Sequence, residues 1–85
     1  MKIGDYVEIN QCSYYYKLIE NGTIGKICYI GNHRTERGTI IEVEVLTGQW
    51  AKNMTLRKKV SVLSFYSEDI SLLTDEKRLA YELPS

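Results

Sequence analysis

The sequence predicts a mostly β domain: a small five-stranded barrel with a short helical turn before its last strand and a short C-terminal helix or tail. Three observations carry this. Five short stretches rich in β-branched and aromatic residues alternate with glycine-bearing turns. The chain has 85 residues, 44% apolar and 26% charged, the balance of one globular domain. A chain this short buries only about 60–65% of its unfolded surface, which leaves no room for both a large core and a deep substrate cavity. A two-domain enzyme, a generally disordered chain and a uniformly basic nucleic-acid coat are thereby excluded.

The elements follow in order. Tyr6-Val7-Glu8-Ile9 alternates, with Val7 and Ile9 on one face, the period of a half-buried strand. Gly4-Asp5 before it is turn chemistry. Residues 11–22 contain Tyr14-Tyr15-Tyr16 and end in the turn signal Asn21-Gly22. They read either as one arm of a hairpin (13–20 against 23–30) or as a long, partly extended loop. Thr23 to Ile30 is rich in β-formers but spaces Ile24, Ile27 and Ile30 three apart, which reads as a coiled strand with a bulge near Gly25. Gly31 to Gly38 is a polar loop. Thr39 to Leu46 is the clearest strand, with Ile41, Val43 and Val45 facing one way and Ile40, Glu42, Glu44 and Leu46 the other. Gln49 to Lys59 is a basic, irregular link. Val60 to Phe65 is a strand, Ser67-Glu68-Asp69 a helical turn and Ile70 to Leu73 a short closing strand. Thr74 caps a short helix whose first turn holds Asp75 and Glu76. Residues 2–73 therefore make the barrel and 74–85 the tail.

Three of these stretches carry a resemblance. Lys2-Ile3-Gly4-Asp5-Tyr6-Val7-Glu8-Ile9 resembles the "GDxVxI" opening of bacterial and phage SH3-like barrels. Gly22-Thr23-Ile24-Gly25-Lys26-Ile27 is similar to the "GxxGxI" core of KOW-type segments. Phe65 to Leu73 is similar to the helical turn and last strand that close such barrels. The three occur in the right order and cover most of residues 2–73. The long stretch Gln49–Lys59 and the tail after Thr74 depart from the minimal pattern. The resemblance implies a fold and a tendency to dock onto larger partners, as in ribosomal and transcription-factor KOW domains, small subunits of enzyme complexes and prophage proteins. It implies no reaction, because fold does not determine function.

The residues offer little to catalysis. His33 is the sole histidine and sits beside Arg34 in a polar stretch, which favours a solvated residue over a base for Cys12, Cys28 or a serine. One histidine and two widely spaced cysteines match no common zinc spacing, and nothing calls for a metal or a cofactor. Glu42 and Glu44 share a strand face that reads as solvated. The expectation is a non-enzyme with two free thiols. No stretch approaches the roughly 18–20 apolar residues of a membrane helix, and no signal-peptide pattern opens the chain, so a cytoplasmic protein with no membrane partner is expected.

Charge and aromatics are more informative. The 11 basic and 11 acidic residues cancel, but unevenly. Lys26, Arg34, Arg37, Lys52, Arg57, Lys58 and Lys59 concentrate in the middle of the chain against Glu36, Glu42 and Glu44, and the two ends are acidic. Exposed tyrosines and tryptophans are common interface anchors. Tyr14, Tyr15, Tyr16 and Trp50, with Lys52, Arg57, Lys58 and Lys59, are the candidate contacts to a larger protein or complex. On this reading the chain is a small phage or bacterial accessory protein that docks on a larger host complex and modulates or inhibits it. The alternative is a KOW-like binder of RNA or DNA using Lys26, Arg34, Arg37, Arg57, Lys58 and Lys59 against phosphates. A third, weaker reading is a structural subunit of an enzyme complex. The sequence leaves the oligomeric state open.

Overall fold

The computed structural model describes residues 1–10, 19–36 and 38–83. The expected hairpin or loop over residues 11–18, including the three tyrosines, lies outside the described residues, as does Arg37. The elements are strands β1 (Tyr6–Ile9), β2 (Ile24–Thr35) and β3 (Gly38–Val45), helix α1 (Gly48–Leu56), strand β4 (Val62–Tyr66), a 3-10 turn (Ser67–Asp69), strand β5 (Ile70–Leu72) and helix α2 (Asp75–Ala80). The five strands form one antiparallel sheet in the order β4-β3-β2-β1-β5.

The predicted alternation in β1 and β3 holds. Val7 and Ile9, and Ile41, Val43 and Val45, are buried on one face. They join Ile19, Ile27, Phe65, Ile70 and Ala51 of α1 in a single core, with Ile30, Trp50 and Leu63 packed against it. The Asn21-Gly22 turn is also as predicted. Thr23 N–H donates to Glu20 C=O at 3.2 Å, and Gly22 sits at φ 90°, the left-handed position such a turn reserves for glycine.

Three expectations are corrected. The bulge in β2 falls at Cys28 rather than Gly25, because Ile27 pairs with Val43 while Tyr29 pairs with Glu42. Gly25 serves instead as a close-packing point, since a Cβ there would meet Val43 and lie 2.9 Å from Glu44 O. The polar stretch Gly31–Gly38 is strand to Thr35, closing as a hairpin at the Thr35–Gly38 pair. Exposed on both faces at its far end, this ribbon lacks the apolar alternation that marks a strand in sequence. The third correction is the irregular link from Gln49, most of which is helix α1.

Both helices end in the same device. In α1, Lys59 N–H donates to Met54 C=O and Lys58 N–H to Thr55 C=O, with Lys58 at φ 56°. In α2, Leu83 N–H donates to Arg78 C=O and Glu82 N–H to Leu79 C=O, with Glu82 at φ 57°. These are Schellman closures in which a charged residue takes the left-handed position usually held by glycine. At the other end of α2, Thr74 Oγ1 accepts from Lys77 N–H as the sequence predicts, and Lys77 Nζ reaches Glu8 Oε2 of β1 at 2.7 Å.

The sheet is strongly coiled. β4 and β5 are its opposite edges, yet only Ser67–Asp69 lies between them. Across a flat five-stranded sheet the edge strands stand ~19 Å apart. The chain from Tyr66 to Ile70 reaches at most ~14 Å. The 3-10 turn ties the coil together: Ser67 Oγ accepts from Thr39 N–H of β3 at 3.0 Å, and Asp69 C=O accepts from Asn10 N–H beyond β1 at 2.9 Å. Gly38 is required where this turn meets β3, since it sits at φ 100° and a Cβ would collide with Ser67 Oγ.

Candidate functional site

Helix α1 decides where the candidate residues lie. Ala51 anchors it in the core and Trp50 packs beside it, half-buried. Trp50 is therefore a packing residue as much as a surface one, and its buried Nε1–H has no hydrogen-bond partner. Its N-cap residue, Thr47, turns its hydroxyl to Ile24 N–H of β2 at 2.9 Å, which fixes the helix to the sheet rather than capping it.

The other end of α1 is different. Lys52, Arg57, Lys58 and Lys59 are all exposed, and Arg57 to Lys59 form the C-terminal closure of the helix. Three cations at the negative end of the helix dipole are locally favourable. Between and beside them stand aliphatic side chains that the core does not take. Leu56 is 82% exposed, Val60 71% and Val62, the first residue of β4, 40%. The stretch from Leu56 to Val62 thus presents three consecutive exposed cations flanked by exposed aliphatic side chains, with Ser61 buried between Val60 and Val62. Sequence reasoning identified its charges and missed its aliphatic half. The sequence reads Val60 as the start of a strand, whereas β4 begins at Val62 and leaves Val60 exposed before it.

Of the other predicted contacts that are described, Lys26 and Arg34 do not join this surface. Lys26 lies on the outer face of β2, its Nζ 5.7 Å from the centre of the Tyr6 ring. It pairs across the sheet with Glu44, which in turn pairs with Val62, so a carboxylate stands between Lys26 and β4. Arg34 pairs with Thr39 near the tip of the β2–β3 ribbon, ~20 Å along β3 from its end at Val45. The described basic residues named for phosphate contact, Lys26, Arg34, Arg57, Lys58 and Lys59, are thus divided among an outer face, a ribbon and a helix end.

Among the described residues, catalytic geometry is equally sparse. His33 is exposed on the ribbon. Cys28 is an exposed free thiol that donates to Glu42 C=O at 3.4 Å. Burial pushes this thiol up, and the carboxylates of Glu42 and Glu44 push it further. A thiol held protonated is a weak nucleophile. Among the described residues, no three His, Cys, Asp or Glu side chains cluster as a metal site. A cleft beside Trp50, lined by Ile19, Glu20, Thr23 and Thr47, has a volume of about 90 Å³, and a wider, more open groove of about 370 Å³ is lined by Asp5, Tyr6, Leu72, Leu73, Asp75 and Arg78. No described helix is long and apolar enough to cross a membrane. In comparisons with protein-family models, curated proteins and solved structures, nothing matches this chain.

Proposed function

We propose that the chain is a non-enzymatic protein-interaction module that docks on a larger protein through the surface from Leu56 to Val62. The observation that supports this is the set of exposed aliphatic side chains that flank three exposed cations at and just beyond the end of α1. Leu56 and Val60 supply apolar area that becomes favourable only when covered. Arg57, Lys58 and Lys59 select an acidic rim on the partner and speed its encounter. The resemblance to SH3-like barrels, whose members dock on larger assemblies, agrees with this reading.

The test is affinity capture from lysate with three immobilised forms of the chain. Parent protein retains a partner, whereas Leu56→Glu/Val60→Glu loses it with the fold intact by circular dichroism. Retention that survives this double substitution sinks the proposal. So does capture of nucleic acid alone, released by salt and abolished when Arg57, Lys58 and Lys59 are changed to Glu, which would establish the phosphate-binding reading instead.

A further inference from the structure

The docking surface calls for a partner that offers apolar area inside an acidic rim, and the chain itself carries one on α2. That helix has no buried residue, and its Leu79 is 69% exposed. Asp75 and Glu76 stand four and three residues before Leu79, the spacings that make neighbours on a helix surface. Glu82 stands three residues after it in the closing turn, its N–H donating to Leu79 C=O at 3.0 Å. All three acids are exposed. Of the two cations of α2, Lys77 is held by Glu8 of β1 at 2.7 Å, and Arg78 is half-buried with its Nη2 3.8 Å from Asp75 Oδ1. The outward side of α2 is thus an uncovered leucine among carboxylates.

We propose that α2 of a second copy of the chain occupies the surface from Leu56 to Val62. Charge and apolar area together select this occupant. The receiving stretch sets exposed Leu56 and Val60 on either side of Arg57, Lys58 and Lys59. Helix α2 sets Leu79 among Asp75, Glu76 and Glu82. Brought together, aliphatic side chains cover one another and three cations meet three carboxylates. Two α1 ends, or two α2 helices, would instead set like charge against like. A single copy does not bring its own two halves together, because Leu56 is 82% and Leu79 69% exposed within it.

The contact is heterologous: one patch inserts and a different patch receives, so parent chains link head to tail and close only where the rotation returns the last copy to the first. A helix end against one short helix buries less than a standard interface, so the association is weak, concentration-dependent and weakened by salt. The occupant so named rests on the docking reading, since the receiving surface is the same, and a larger protein competes with α2 for it.

Sedimentation equilibrium of the full chain, from micromolar to millimolar concentration at low salt, tests it. Reversible self-association is expected. Leu79→Gln and, separately, Leu56→Glu/Val60→Glu are each expected to weaken it about tenfold, with the fold intact by circular dichroism. Mixed at the same total concentration, the two variants regain a complex that stops at one of each, because the first keeps the receiving surface and the second keeps α2. Rescue by mixing separates a lost contact from a lost fold. A chain that stays monomeric throughout overturns the proposal, as does association indifferent to Leu79→Gln or a mixture of the variants that fails to associate. Lysate capture keeps the two readings apart: Leu79→Gln leaves capture of an unlike partner in place, whereas Leu56→Glu/Val60→Glu removes it. A monomeric chain that still captures an unlike partner through Leu56 and Val60 overturns the self-pairing alone.

Discussion

Lys58 lies at φ 56° and Glu82 at φ 57°, each one residue past the C-cap of its helix. A Cβ in that region crowds the following carbonyl, and glycine escapes the penalty at some cost in unfolded-state entropy. Lys58→Gly and Glu82→Gly are each expected to stabilise the fold by about 1 kcal/mol in chemical denaturation. Gly25 is the opposite case. Its backbone geometry suits any residue, but a Cβ would press on Val43 and on the Glu44 carbonyl. Gly25→Ala is expected to cost about 1–3 kcal/mol, with a matching fall in thermal midpoint. Both effects follow from single atoms that the sequence does not announce: the end of α1 and the neighbour of Gly25 across the sheet appear only in the fold.

At the scale of elements, α1 joins the core through Ala51 and Trp50. Trp50→Ala is expected to cost about 3 kcal/mol. Trp50→Phe is expected to cost about 1 kcal/mol or less, because it also removes a buried N–H without a partner. Equilibrium denaturation of the two variants separates packing from polarity. Helix α2 is held differently. The hydrogen bond and charge of Glu8 raise Lys77 above its ordinary value of 10.5. A cation raised in this way contributes stability that is complete below its unfolded value and is lost as pH rises through the folded one. The α2–β1 contact is therefore constant through neutral pH and released only in the alkaline range. In a carbon-13 NMR titration, Lys77 Cε is expected to shift at higher pH than in Glu8→Gln.

β1, β3, the 3-10 turn and the capped α2 were legible in sequence, because strict alternation and a threonine before two acids are strong local signals. Helix α1 was not. Trp50, Ala51 and Met54 make only a narrow apolar stripe, and Leu56 lies outside it. The far end of β2 was missed for the same reason in strand form: a ribbon exposed on both faces carries no apolar alternation. The candidate surface was half legible. Its cations announced themselves as Arg57-Lys58-Lys59, but the exposure of Leu56 and Val60 depends on how α1 is anchored.

The order of the strands has a consequence for how the molecule comes to exist. β1 lies between β2 and β5, so Val7 and Ile9 pair on one side with residues near 25 and on the other with Leu72 and Ile70. One edge of β1 therefore has no partner until a strand more than half the chain away has been made. Chains truncated before Ile70 are expected to lose cooperative unfolding and bind a hydrophobic dye, whereas truncation after Leu73 preserves the melt. Pairings so distant in sequence slow folding through the entropy of closing the intervening loop. β1 precedes the other four strands yet is completed only by the last of them, and until then the edge that β5 covers stands open.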